Sequence, residues 1–244
     1  MGAQWKAAGK AVNTAKKGAM IGKLTKEIIV AAKLGGPDPD SNFRLRGAME
    51  DARRNSVPRD TIERAVKRGA GLLDEPANYE TAMYEGFAPH QVPIIVECLT
   101  DNRNRTVSAV RVLFRHGQLG AAGSVGWMFN RRGVIEAHNK GTEIDLETVA
   151  IEAGADEVET LRPNEEQPKG GTLAKFMCAI PDLDAVNKYL SANGWNILSS
   201  EMSYIAKDLV SLNPEQTKEV NEFLSDLDDN DDVHRIYVGL KPEV

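Results

Sequence analysis

Apolar positions along the chain recur with two periods, one helical and one extended. Between Lys16 and Leu34 the residues Ile21, Leu24, Ile28 and Ala31 return at helical spacing, which predicts an amphipathic helix with Lys16, Lys23, Lys26 and Lys33 on its opposite face. GGPDPDSN breaks that helix and offers Ser41 or Asn42 as the cap of a second. The second helix points Leu45, Ala48, Met49 and Ala52 inward and carries Arg46 and Arg53 on one flank. NSVPRDTIERAVKRGAG predicts a third, with Pro58 at its first position, Ile62, Ala65 and Val66 packing, and Gly69 or Gly71 as its stop. Three short helices with small linkers predict a helical bundle over residues 1–75, preceded by a basic, small-residue arm at 1–18.

Beyond residue 76 the pattern turns extended. MYEGFAPHQVPIIVECL reads as two strands around Ala88-Pro89-His90, the second a continuous apolar run of the length of a buried strand. Asp101, Asn102 and Asn104 interrupt it, and Asn104 or Arg105 is the expected cap of a helix beginning near Thr106. Val107, Val110, Leu113 and Phe114 share one face of that helix, with Ser108, Arg111 and Arg115 beside it. Gly117, Gly120 and Gly123 then mark an exposed loop, and Val125, Trp127 and Phe129 alternate as the inward face of a further strand. Residues 131–205 read as strand, helix, strand, strand, helix, strand, the order of a ferredoxin-like domain. The tail adds an extended piece at 209–212, a helix with Val220, Phe223, Leu224 and Leu227 inward, and a strand with Val233, Arg235, Tyr237 and Gly239 on one face. The economical architecture is α+β: a bundle at 1–75, a discontinuous domain at 76–130 plus 206–244, and the ferredoxin-like domain at 131–205 inserted in it.

Charge changes this picture more than composition does. The chain carries a net −6, but residues 1–70 hold 15 Lys+Arg against 7 Asp+Glu and residues 71–244 hold 15 against 29. One end is therefore suited to a polyanion that most of the body would repel. Within the acidic body one stretch runs the other way: from Asp101 to Arg132 there are arginines at 103, 105, 111, 115, 131 and 132 and the single acid Asp101. The planar guanidinium fork suits phosphate. No apolar run approaches the ~18 residues of a membrane span, and MGAQWKAAGK lacks a signal-peptide core, so a cytoplasmic protein with no membrane partner is expected. Cys98 and Cys178 fall within predicted strands and read as buried thiols.

Catalytic and metal sites find little support. The four histidines, at 90, 116, 138 and 234, are in no ligand spacing. GQLGAAGS resembles a phosphate cradle but lacks the P-loop lysine. The aspartates at 226, 228, 229, 231 and 232 lack the glycine and glutamate of a calcium loop and read as a solvated acidic turn. A non-enzymatic protein without metal, cofactor or small-molecule substrate is expected.

YEGFAP, VECLTDNRNRT, LGAAGSVGWMF, the acidic DLDDNDDV, DPDSNFRLRGAME and NSVPRDTIERAVKRGAG resemble the YebC/PmpR family over essentially the whole chain. The front differs: MGAQWKAAGKAVNTAK stands where the family commonly has MAGHSKWANIKHRK, and this chain is similar to the YeeN-like subgroup. The resemblance implies a three-domain DNA-binding transcriptional regulator. Its alternative implication is a ribosome-associated translation factor that contacts ribosomal or transfer RNA and ribosomal proteins and assists difficult peptide synthesis. Lys16, Lys23, Lys26, Lys33, Arg46 and Arg53 are the expected phosphate contacts of the bundle, and Arg103, Arg105, Arg111 and Arg115 form a second basic patch.

Overall fold

The computed structural model describes residues 14–74, 78–162, 168 and 170–241, with the side chains of 14–16 excepted, so most of the arm at 1–18 lies outside the described residues. The elements follow as α1 (Thr14–Gly35), α2 (Phe43–Arg54), α3 (Arg59–Gly69), β1 (Glu80–Ala88), β2 (Val92–Thr100), α4 (Arg103–Leu113), β3 (Gln118–Leu119), β4 (Phe129–Asn139), α5 (Leu146–Ala153), β5 (Glu157–Thr160), β6 (Thr172–Cys178), α6 (Leu183–Ala192), β7 (Asn196–Ala206), α7 (Pro214–Asp228) and β8 (Val233–Val238). They form two compact units, residues 1–130 with 205–244 and residues 131–204.

In the first unit, α1, α2 and α3 share a core of Ile28, Ile29, Ala32, Leu45, Ala48, Ala52, Ile62 and Ala65. Asn42 organises the first turn: its Oδ1 accepts the Leu45 amide at 3.1 Å, while its Nδ2 donates to the carbonyls of Ala31 and Gly36 at 2.9 Å each. One side chain thus starts α2 and ties it to the end of α1. Pro58 is the cap residue of α3 and not its first helical residue, so the helix starts one position later than expected. A Cβ on Gly69 would stand 2.3 Å from the Ile29 carbonyl oxygen, so α1 and α3 approach at a distance that only glycine permits.

Helix α1 departs from simple amphipathicity. All six residues from Glu27 to Ala32 are buried, with Glu27 3 % and Val30 2 % exposed. A helix buried all round is covered on more than one side. Here α2 and α3 cover one side and β2 approaches on another.

The sheet of this unit runs β3-β1-β2-β8, antiparallel throughout. β2 is buried at all nine positions, as a strand covered on both faces must be. Ile94, Val96 and Cys98 join Val110, Phe114, Val220, Phe223, Leu224 and Leu227 in the core beneath α4 and α7. Phe114 and Phe223 meet edge to face at 5.5 Å. Strand β8 does not keep the alternation expected of it. The register slips between Glu97 and Cys98, so Val233 pairs with Cys98 while Ile236 pairs with Val96 and Val238 with Ile94. That bulge turns Val233 into the core with Ile236, away from the Arg235 and Tyr237 side. Helix α4 begins at Arg103, before the expected Thr106, because Asn102 supplies the cap: its Oδ1 accepts the Arg105 amide at 3.1 Å.

The second unit has strand order β5-β6-β4-β7 with the connectivity β-α-β-β-α-β, the ferredoxin-like arrangement. Ile135, Ala137, Ala174, Phe176 and Cys178 are fully buried, and Phe176 meets Trp195 edge to face at 5.2 Å. Both cysteines are free and buried. Burial pushes the thiol of Cys98 up to about 12 and that of Cys178 up to about 11, so neither is a reactive thiolate at neutral pH.

Candidate nucleic-acid interface

The lysines of α1 do not line an open face. Lys23 donates to the Asp228 carbonyl, with its Nζ 3.6 Å from Asp228 Oδ1. Lys26 donates to the Asp231 carbonyl at 2.8 Å and to Asp232 Oδ1 at 3.0 Å. Lys33, more exposed, donates to the Tyr79 carbonyl at 3.0 Å. The polar side of α1 thus faces the C-terminal end of α7 and the acidic turn after it. Terminal carbonyls and carboxylates there offer concentrated negative charge to a cation. The side chain of Lys16 lies outside the described residues.

The acidic turn is exposed to solvent at Asp226, Asp229 and Asp231, but not at Asp232. Asp232 is only 7 % exposed and gathers four groups. Its Oδ2 accepts the Thr106 hydroxyl at 2.9 Å and Arg105 Nη2 at 3.1 Å, its Oδ1 accepts Lys26, and its amide donates to Asn230 Oδ1 at 3.0 Å. Thr106 is hydrogen-bonded in turn to Thr100 Oγ1 at 2.7 Å. Burial alone would raise the Asp232 carboxyl, but the bonds from Lys26, Thr106 and Arg105 outweigh it and hold the group below its ordinary range. Arg105 also pairs with Asp101 at 2.8 Å, so this arginine braces the loop before α4.

A second buried cluster lies between the helices and the sheet. Arg44 grips Glu27 with two bonds, at 2.8 and 3.0 Å, and stands 3.6 Å from Glu97. Glu97 accepts the Tyr237 hydroxyl at 2.9 Å, and His234 Nε2 lies 3.2 Å from Glu27 without the alignment of a hydrogen bond. Burial pushes the Glu27 carboxyl up, and the opposing attraction of His234, Arg44 and Arg235 leaves it far below the normal carboxylate range. No local pattern in the sequence marks this cluster, because its members come from α1, α2, β2 and β8.

What stays open is a set of arginines. Arg53, Arg103, Arg111 and Arg115 are exposed, Arg103 standing 3.6 Å from Glu80 and Arg115 donating through Nε to His116 Nε2, at 3.0 Å, within its own turn. Arg46 is not one of these: it is half-buried and partnered, with Nη1 3.5 Å from the Pro39 carbonyl. From Arg103 to His116 the chain holds four arginines and no acid. Among the described residues no group of three His, Cys, Asp or Glu side chains is placed to hold a metal ion, and no helix is long and apolar enough to cross a membrane.

The glycine loop after α4 departs from expectation. Residues Gly126–Met128 make a helical turn, and Trp127 is 68 % exposed where an inward strand residue was expected. The cause is Glu85 on β1. Its carboxylate accepts the amides of Gly123 at 2.8 Å, Val125 at 2.9 Å and Gly126 at 2.6 Å. Gly123 adopts φ +84, a conformation that side chains disfavour, to turn its amide inward. The loop's anion cradle is therefore already filled by the protein's own carboxylate, and these three bonds hold Glu85 below its normal range despite its partial burial. Glu85→Ala is expected to speed hydrogen exchange at Gly123, Val125 and Gly126 by at least about tenfold, the equivalent of ~1.4 kcal/mol of local stability, while β2 amides keep their protection. Unchanged exchange at the three amides would show that the carboxylate does not hold the loop.

Two family models match the chain: TACO1/YebC protein N-terminal domain over residues 2–72 and TACO1/YebC second and third domain over residues 79–240. A probable transcriptional regulatory protein of Pseudomonas syringae pv. syringae (strain B728a) is 53% identical over 241 residues, covering 98% of this chain and 99% of its own. A protein of the same name from Polaromonas sp. (strain JS666 / ATCC BAA-500) is 51% identical over 243 residues, with the same coverage. Among solved structures, the conserved hypothetical protein Aq1575 of Aquifex aeolicus is similar at a TM-score of 0.81 and 36% identity, covering 97% of this chain and 96% of that one.

Proposed function

Because the chain belongs to the TACO1/YebC family, we propose that it regulates gene expression as a DNA-binding transcriptional regulator, holding the phosphate backbone with its open arginines. The observation that carries this reading is α4 and the turn after it: four arginines and no acid, three of them clear of the buried Asp232 network, on a chain of net charge −6. Arg53, with Arg46 two turns away on α2, extends the contact into the helical domain at 1–75. The discontinuous domain at 76–130 plus 206–244 supplies the second patch, and the acidic domain at 131–205 stays off the phosphates. Relatives named as probable transcriptional regulatory proteins support the regulatory part.

A second reading, RNA on the ribosome, is favoured by one observation. Residues 71–244 carry 15 basic against 29 acidic residues. Such a body is poorly suited to lie along a duplex, but tolerates a site where one end enters RNA and the remainder faces basic ribosomal proteins. Sedimentation of a cell extract, with and without nuclease, combined with promoter enrichment tests both. The transcriptional reading expects protein at the top of the gradient that enriches particular promoter fragments. Co-migration with ribosomes and no preference over random duplex would overturn it in favour of the second.

A further inference from the structure

Trp127 is the one aromatic side chain among the large apolar residues that remain exposed in the described part of the chain. It is also held still. Its indole Nε1 donates to the Ser124 carbonyl at 3.1 Å, and its own carbonyl accepts Lys207 Nζ at 2.7 Å. On either side, the Met128 amide donates to Val125 O at 2.8 Å and the Lys207 amide to Met128 O at 2.9 Å. Beneath it, Glu85 pins the amides of Gly123, Val125 and Gly126. A large apolar ring kept in water by so many bonds is presented rather than stranded, because the loop has forgone the burial that the alternation of Val125, Trp127 and Phe129 would allow.

The surroundings decide what the ring suits. An apolar docking site for a protein is normally a contiguous patch. The loop that precedes it in the chain, Gly120, Ala121, Ala122, Gly123, Ser124 and Gly126, offers little apolar area, and the ring itself is 68 % exposed and accessible to a flat partner. Lys207 is exposed and spends one of its three N–H groups on the Trp127 carbonyl, so positive charge stands at the residue that carries the ring. A rigid aromatic with an adjacent cation is the arrangement that stacks one base and attracts the phosphate next to it.

We propose that Trp127 is a stacking platform for an unpaired nucleobase, with Lys207 beside it for the neighbouring phosphate. This deepens the nucleic-acid reading above and rests on it. A base inside a duplex is stacked on both sides and cannot use the platform, so the site distinguishes unpaired from paired strands.

The test compares the full-length protein with Trp127→Ala, Trp127→Leu and Trp127→Phe. Each is titrated with a short single-stranded RNA, the same sequence as single-stranded DNA, and its duplex, with thermal melting as the check on folding. Stacking predicts that tryptophan emission of the wild type is quenched by the single strands and that the Trp127 share of this quenching disappears in Trp127→Phe. Single-strand affinity falls about tenfold in Trp127→Ala, with duplex affinity unchanged. Trp127→Leu, which keeps apolar bulk without a ring, behaves like alanine, and Trp127→Phe recovers most of the affinity. The RNA and DNA arms show which strand supplies the base. Equal losses for single strand and duplex, a leucine variant as good as phenylalanine, or quenching by a proline-rich peptide and not by the oligonucleotides would each overturn the proposal. If Trp127→Ala binds single strands normally while Arg111→Ala with Arg115→Ala does not, the platform alone fails. If the wild type binds none of the three nucleic acids, the nucleic-acid reading fails with it.

Discussion

Replacing Arg44 with methionine is expected to destabilise the first unit by about 3–5 kcal/mol, lowering its melting transition by on the order of 10 °C. Arg44 is the cation between Glu27 and Glu97, two carboxylates that are 3 % and 7 % exposed. Methionine fills much of the space but leaves both without their guanidinium, and an uncompensated buried charge costs far more than the intact pair contributes. The variant should also differ in its response to acid. Glu27 has its folded-state value depressed below the ordinary 4.5. Its stabilising contribution is therefore complete above pH 4.5 and is lost progressively as pH falls toward the folded value, because the unfolded chain takes up the proton first. With Arg44 gone the depression shrinks, and the acid-sensitive loss becomes smaller on a fold that is already less stable. Thermal melts of both proteins from pH 7 to pH 3 check this. A variant that melts with the wild type would mean that His234 and Arg235 neutralise Glu27 unaided.

The second large effect separates cations that face solvent from cations that face the chain. Arg111→Ala with Arg115→Ala is expected to reduce the slope of log affinity against log salt for duplex DNA by about 2, since each phosphate contact contributes ~0.9. Between 50 and 200 mM salt that difference alone is worth on the order of tenfold in affinity. Lys23→Ala with Lys26→Ala is expected to leave the slope unchanged and to lower the melting temperature instead. These lysines already hold Asp228, Asp231 and Asp232, and their loss leaves the buried Asp232 short of a partner. Binding isotherms at several salt concentrations decide. A drop in slope for the lysine pair, with none for the arginine pair, would reverse the assignment.

Much of the fold was legible because its signals are local. The 3.6-residue return of Ile21, Leu24, Ile28 and Ala31 needs only about three turns of chain to be read, and the cap at Asn42 needs fewer. The buried run of β2 and the β-α-β-β-α-β order of the second unit are equally local. The departures from local pattern come from residues distant in sequence. Alternation predicts Trp127 inward, but Glu85, 42 positions earlier, binds the loop amides and a helical turn stands where a strand is expected. Strict alternation predicts Val233 on the side of Tyr237, and a bulge against Glu97 and Cys98 puts it on the other face.

The same division runs through the candidate interface. The sequence by itself determined that an arginine-rich helix without acids follows β2, that the first 70 residues are basic, and that a helix of α1's length forms there, since these depend on residue identity and short-range spacing. Only the tertiary structure decided which cations are available. Lys23, Lys26, Arg44 and Arg105 find Asp228, Asp232, Glu27 and Asp101 within 4 Å. Two of these four pairs join different helices, a third joins α1 to the turn after α7, and two join positions about 200 residues apart. The interaction between charges falls with distance through space, and sequence separation carries almost no information about that distance until the chain has folded.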